Sequence, residues 1–414
     1  MAIRQQALTV VAPVRKDARE SLSARLDAAE SDVQDALVAV KTLHFARFVL
    51  IDGKDGPKSR LAFETNHDGE LGPHLEAVAR VLAPFEDMLF GAWEGYRTGD
   101  LAGFVEKHAL PASTFYLGHP GLSVEQILDD REIRLELQRV LDAEVDANGA
   151  RDRAGETASS VRSRLLAQLA GTKHWANLAT GPVDRGLPVQ PFSNIHFYAI
   201  VIFVIVPLAF VLLPIALLIE WRERRDELPR ELVAEDDPRL DPINRREDAI
   251  SQNGLTHHVP LRPGPFRRLT LRLVLWFLEH ARQKIAYEGT LGGITSIHFA
   301  RWVLLDDETV LFFSNYDGSW EAYLGDFVDK AHFYLTAVWT NTKWFPATNA
   351  LIFGGAAKEL TFKRWTRTFQ VENRIWYSAY KDVTVSDVLR NALVREGASG
   401  DMTEEQARAW LARL

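Results

Sequence analysis

The chain repeats itself. Leu43–Asp52 reads LHFARFVLID, and nearly the same wording returns over Ile297–Asp306 as IHFARWVLLD. Two further blocks follow in the same order. LAFETNHDG (Leu61–Gly69) answers to LFFSNYDG (Leu311–Gly318), and TFYLGHPGLSVEQIL (Thr114–Leu128) to IWYSAYKDVTVSDVL (Ile375–Leu389). Three blocks in one order imply two copies of one structural unit. A chain of 414 residues that is 47% hydrophobic is long and apolar enough to fold both.

Each copy reads as strand, helix, strand, strand, helix, strand. In the first, Leu8–Val14 is a β-branched run, and Lys16–Val38 is helical in character with no interior Gly or Pro. His44–Ile51 and Ser59–Asn66 flank the turn-forming stretch DGKDGPK. A helix over Glu70–Met88, a strand over Thr114–Gly118 and a helix over Ser123–Asp146 complete it. The second copy runs Leu255–Leu261, Phe266–Tyr287, Ile297–Leu305, Thr309–Asn315, Trp320–Val338 and Arg374–Tyr380, with a last helix from Ser386. This predicts an α+β protein of two tandem ferredoxin-like βαββαβ domains, each with helices on one sheet face. The bare sheet faces are expected to pack together, with room for a ligand between them. The expected divisions are repeat one over 1–146, a helical connector over 147–196, a hydrophobic segment over 197–219, a charged linker over 220–253, repeat two over 254–394 and a helical tail over 395–414.

In topology and repeat order, residues 1–135 and 252–394 resemble the dimeric α/β-barrel superfamily in its tandem form. Dye-decolourising peroxidases and chlorite dismutases are haem-binding members of that superfamily. The resemblance implies a haem between or beside the sheets and peroxidase- or oxygenase-like chemistry. The peroxidases' Gly-x-x-Asp-Gly motif is not found here, because Asp317-Gly318 lacks the preceding glycine.

Bulk properties narrow the partners. A net charge of −8 argues against nucleic acid. With no cysteine, disulfides, thiolate catalysis and zinc–thiolate sites are excluded. Phe197–Ile219, however, is 23 consecutive uncharged residues followed by Arg222, Arg224 and Arg225, which meets the requirement for membrane insertion. Pro207 and Pro214 break its helical hydrogen bonding. The expectation is a re-entrant segment, with a plain crossing as the alternative, and both repeats on the cytoplasmic side. FRRLTLRLVLWFLEHARQKI (Phe266–Ile285) mixes basic residues with a dominant apolar body, the composition of a helix lying at headgroup level.

Motifs for nucleotide binding, serine hydrolysis or zinc proteolysis do not occur. The remaining candidates sit at repeated or aromatic-rich positions. Arg47 and Arg301, mid-strand, are read either as anion- or oxidant-binding groups facing the inter-sheet space or as structural partners of Asp68 and Asp317. His44 and His298 read as hydrogen-bonding residues, and His119, His257 and His258 as weaker ligand candidates. His332 lies four residues after Val328 and eight after Leu324, so it reads either as an inward-facing haem iron ligand, with Arg301 and Trp339 beside the cofactor, or as a partly buried core or surface histidine. Arg301 and Asp317 are the catalytic candidates, and Asn315, Tyr316 and Tyr377 the substrate-binding ones, with helix capping at the strand-to-helix turn as the other reading of Asn315 and Asp317. The aromatic surplus of the second repeat suggests an apolar pocket for a flat or long ligand. Two functions follow as expectations. One is a membrane-associated haem-dependent oxidoreductase acting on a lipid-like substrate. The other is a non-catalytic membrane-bound module that binds a hydrophobic small molecule or a protein partner. The oligomeric state is left open.

Overall fold

The computed structural model describes residues 4–51, 59–148, 155–170, 172, 219–226, 232–234, 236–287, 290–306 and 308–414. All but the last residue of the hydrophobic segment 197–219 lies outside them. Among the described residues, no helix is long and apolar enough to cross a membrane.

The first repeat supplies β1 (Gln5–Pro13), α1 (Arg19–Leu37), β2 (Leu43–Ile51), β3 (Arg60–Asp68), α2 (Leu71–Val81), α3 (Leu101–His108), β4 (Ala112–Leu117) and α4 (Val124–Asn148). After α5 (Ala158–Leu169), the second repeat supplies β5 (Gln252–Pro260), α6 (Pro265–Ile285), β6 (Ile297–Leu305), β7 (Thr309–Asp317), α7 (Trp320–Lys330) and α8 (His332–Trp339). It continues with α9 (Glu359–Phe369), β8 (Asn373–Ser378) and α10 (Val385–Glu396), followed by α11 (Glu404–Leu411). Local chemistry accounts for several of these. Helix α1 buries Leu22, Leu26, Val33 and Leu37 on one stripe. Thr384 and Asp387 exchange hydrogen bonds as a capping box at the start of α10.

The two four-stranded sheets are antiparallel, in the orders β1-β3-β2-β8 and β5-β7-β6-β4. The fourth strand of each sheet thus comes from the other repeat. β4 pairs with β6, setting Phe115 opposite Arg301, and β8 pairs with β2, setting Trp376 opposite Arg47. The exchange covers the outer edges of β2 and β6, which would otherwise be open rows of backbone donors and acceptors. Close approach has a price at Gly118, where a Cβ would lie 2.1 Å from the Ile297 carbonyl oxygen. The sheets are also stitched at their other edges: Leu110 N–H donates to Thr9 O at 2.8 Å, and Val371 N–H to Thr256 O at 2.9 Å.

Between the sheets, Val11, Val49, Ile51 and Ala62 pack with Val303, Leu305, Leu311 and Phe313. Separate helix-side cores cover the outer faces. A further cluster joins α4 and α5 to α10 and α11 through Ile133, Leu137, Leu165, Val394 and Trp410. The charged stretch expected as a surface linker is strapped to the body. Arg246 is ion-paired with Asp27, Glu30 and Glu372, and Leu240 and Ile243 are buried.

Each fully buried aliphatic or aromatic side chain contributes roughly 1.5–3 kcal/mol. The gross burial by the seven larger inter-sheet residues, on the order of 10–20 kcal/mol, exceeds what a domain with a net stability of about 5–15 kcal/mol can lose. Neither repeat is expected to keep its sheet once the other unfolds. Urea unfolding followed by tryptophan fluorescence, which is weighted to the second repeat, should coincide with unfolding followed by far-UV circular dichroism. Two resolved transitions would show that the repeats fold independently.

Candidate functional site

Arg47 and Arg301 point into the space between the sheets, as the alternation with Phe45/Val49 and Phe299/Val303 requires. Both are 1% exposed or less. Their carboxylate is Glu64, which faces Arg47 across β2 and β3, and neither Asp68 nor Asp317. Arg47 Nε donates to Glu64 Oε2 at 2.8 Å, and its terminal nitrogens donate to Leu255 O, Thr256 Oγ1, Ser314 O and Asn315 Oδ1. Arg301 pairs with Glu64 Oε1 and donates to Leu8 O at 2.8 Å and Thr65 O at 3.2 Å. In the second repeat the position of Glu64 is taken by Phe313, whose ring centroid lies 5.6 Å from each guanidinium carbon. Two cations therefore share one anion. Burial lowers both guanidiniums, Arg301 to about 10, while Glu64 pushes them back up. The place where an external anion or oxidant was expected is filled by the protein's own carboxylate. Glu64→Gln leaves two buried cations uncompensated and should cost about 3–5 kcal/mol in urea denaturation; a change below about 1 kcal/mol would mean the cluster carries no structural weight.

A second polar array crosses the junction of the repeats. His44 and His298 each sit at a β-bulge, where the register slips between Leu43 and Phe45 and between Ile297 and Phe299. His44 Nε2 lies 2.9 Å from Asp68 Oδ1, and His298 Nε2 lies 2.7 Å from Asp317 Oδ1. The remaining ring nitrogens converge on residues matched in the third repeated block. His44 Nδ1 is 2.9 Å from the Tyr380 hydroxyl, His298 Nδ1 is 3.3 Å from His119 Nε2, and Tyr380 and His119 are 3.4 Å apart. A neutral imidazole that donates through Nε2 to its aspartate accepts at Nδ1. His44 Nδ1 then accepts from the Tyr380 O–H and His298 Nδ1 from the His119 Nε2–H. Asp68–His44–Tyr380 and His119–His298–Asp317 thus form two hydrogen-bonded arms, which meet where His119 Nε2 lies 3.4 Å from the Tyr380 oxygen.

The second oxygen of each aspartate is also spent. Asp68 Oδ2 accepts from Val124 N–H at 2.8 Å and Asp317 Oδ2 from Val385 N–H at 2.7 Å, at the starts of α4 and α10. Asp317 therefore caps a helix distant in sequence, while the adjacent α7 is capped by Ser319. Burial pulls His119 well below its ordinary range and pushes the Tyr380 hydroxyl well above its own. Asp–His pairs can serve as general bases, but here the imidazoles are enclosed and both carboxylates are fully engaged. The arrangement acts as a polar clasp.

The other candidates fall in different layers. Asn315 lies between the sheets, accepting from Arg47 and, at 3.0 Å, from Trp376 Nε1. Tyr316 is on the helix side, stacked on Tyr323 at 3.8 Å, and burial raises its hydroxyl well above the ordinary value. Trp339 belongs to the same helix-side core, packed near Trp365, Phe312 and His257. Tyr377 is in the opposite core, that of the first repeat, with its hydroxyl raised to about 12 by burial. His332 does not face inward. It begins α8 half-buried, its Nδ1 lies 2.9 Å from Val328 O, and its ring rests against exposed Phe333. Of the second repeat's aromatics, Trp302, Phe312, Trp339, Phe345 and Trp365 pack against one another. Two cavities lined by described residues lie outside the sheets and have mixed polar walls. One of about 500 Å³ runs from Asp27 and Glu30 to Trp376, and one of about 680 Å³ runs from Leu240 to Trp320 and Arg367.

Four buried histidines make the fold acid-sensitive. Burial lowers His67 to about 2, His74 to about 4, His257 to about 3, and His119 well below 6.5. The unfolded chain takes up these protons near pH 6.5 and the folded one does not, so stability is present above that pH and lost as pH falls. The loss approaches about 1.4 kcal/mol per pH unit for each group well below pH 6.5, on the order of 6 kcal/mol for all four between pH 6.5 and 5. Urea midpoints should fall steeply over that interval; a flat profile down to pH 4.5 would refute the assignment of neutral buried imidazoles. Comparison with protein-family models, characterised proteins and solved structures gave no match.

Proposed function

We propose that this chain is a membrane-attached, non-catalytic module: tandem ferredoxin-like units closed on each other, with the interior given over to structure. The observation that carries the reading is the outward face of α6. Leu269, Leu273, Trp276 and Phe277 are spaced as one helical stripe and are 59%, 57%, 60% and 49% exposed, while Leu271 and Leu275 on the other side are buried. Exposed Phe333 and Tyr334 of the neighbouring α8 extend the apolar surface, and Phe353 lies 5.8 Å from Phe333. The counterpart α1 has no such stripe; exposed Val38 stands just past its end.

The hydrophobic sequence 197–219 runs into residues 219–226, which are docked close to this face. Glu223 accepts from Thr348 Oγ1 at 2.6 Å and Leu351 N–H at 2.9 Å, and Asp226 pairs with Arg262 and Arg267. Strands before and after the segment share both sheets, so the chain that leaves the body before it returns to the same side after it. A re-entrant attachment satisfies this condition and a single crossing does not. The haem-dependent alternative has less behind it, since His332 stands on the outer helical layer and Glu64, Arg47, Arg301 and the aspartate–histidine arms occupy the interior.

The chain contains no cysteine, so a single engineered thiol can report position. In full-length protein reconstituted in vesicles, an environment-sensitive fluorophore on Leu273→Cys should shift to the blue and be quenched by lipid-borne quenchers. The same fluorophore on Val38→Cys should remain in water. A water-exposed signal at position 273 would sink the proposal.

A further inference from the structure

Resting on the membrane reading, we infer that the α6 face selects anionic lipid, with Arg222, Arg225 and Arg268 as its headgroup contacts. The argument is a segregation of charge along residues 219–226 and α6. Here the carboxylates are turned into the protein. Glu223 is buried against Thr348 and Leu351, Asp226 is held by Arg262 and Arg267, and Glu279 accepts from the Phe115 N–H at 3.1 Å. Glu220 alone of the four acids pairs at the surface, with Arg224.

The cations face outward. Arg222, Arg225 and Arg268 are exposed and have no carboxylate partner among the described residues. Arg222 lies over the Phe266 ring at 4.9 Å and Arg225 over Trp221 at 3.8 Å, so aromatic faces hold both guanidiniums beside the apolar stripe. Apart from Glu220, which is paired with Arg224, the carboxylates of this stretch are withdrawn from the surface, so its arginines can reach headgroup oxygens while Leu273 and Trp276 enter the acyl boundary. The whole chain, by contrast, carries a net charge of −8. An anionic leaflet would repel most of this protein and attract this face, which fixes orientation as well as lipid class.

The test uses full-length protein in phosphatidylcholine vesicles containing a minor fraction of phosphatidylserine. Energy transfer from tryptophan to headgroup-matched fluorescent analogues of the two lipids measures which one collects around the protein. The expected result is several-fold enrichment of the serine lipid, lowered stepwise by each arginine removed and by at most about five-fold per step, since a basic residue near the surface is worth about 1 kcal/mol. The enrichment should also fall as salt rises. The triple variant R222Q/R225Q/R268Q should show no preference while keeping the circular dichroism of the parent. Equal collection of both lipids by the parent, with the fluorophore at position 273 still quenched by lipid, would overturn the selectivity and leave the membrane attachment intact. Preference retained by the triple variant would overturn the assignment of these arginines. A fluorophore at position 273 sheltered from both water and lipid would show that the chain's own segment 197–218 covers the face, and both readings would fall.

Discussion

The pairing of β4 with β6 and of β8 with β2 is the constraint on which the rest of the molecule depends. Backbone hydrogen bonds made across the two repeats put the fourth strand of each sheet under the control of the other, so the sheets form together or not at all. The helices that follow the exchanged strands are carried across with them. There α4 and α10 pack on each other, and Arg395 is ion-paired with Asp129 and Asp130. The aspartates that cap these helices are Asp68 and Asp317, and the histidines those aspartates hold meet at Tyr380 and His119. A single topological decision thus creates the whole polar clasp.

The interior that this exchange encloses is unlike the ligand chamber that a doubled sheet invites. Symmetry would place two carboxylates beside two arginines, but the second repeat carries Phe313 where the first has Glu64. One anion therefore bridges two cations, and both guanidiniums lie within cation–π range of the Phe313 ring. Buried charge of this kind is costly to assemble and costlier to leave half-paired. Its value is that it binds strands of both repeats at one point: Arg47 reaches Leu255 and Ser314 of the second, and Arg301 reaches Leu8 and Thr65 of the first.

The two repeats have diverged on their helical surfaces. Helix α1 shows a charged exterior, whereas α6 at the matched position shows leucine, tryptophan and phenylalanine to solvent next to the end of an uncharged stretch of sequence. In the proposed membrane attachment, the side turned to the bilayer would be that of the second repeat, where this apolar stripe lies.

Repetition in the sequence was enough to mark two matched sets of four strands and the inward aim of Arg47 and Arg301, because the two-residue period of a strand fixes which face a side chain occupies; the helices Leu101–His108 and Glu359–Phe369, which lie outside the repeated blocks, were not foreseen. Composition was enough to mark 197–219 and α6 as apolar. The period says nothing of partners, so Glu64 was overlooked although it stands in the repeated block opposite a conspicuous phenylalanine. Alternation also misleads at a bulge, and His44 and His298 owe their meeting with Asp68 and Asp317 to one. The inward placement expected of His332 failed because Val328 and Leu324 define a stripe only for an unbroken helix, and the chain leaves helical geometry at Ala331. Strand exchange left no local trace at all: the hydrogen bonds of β4 look the same to the sequence whether their acceptors lie in its own repeat or in the other. Which sheet a strand joins, and which side of α6 stays wet, is decided by packing between residues hundreds of positions apart, and only the tertiary structure holds that information.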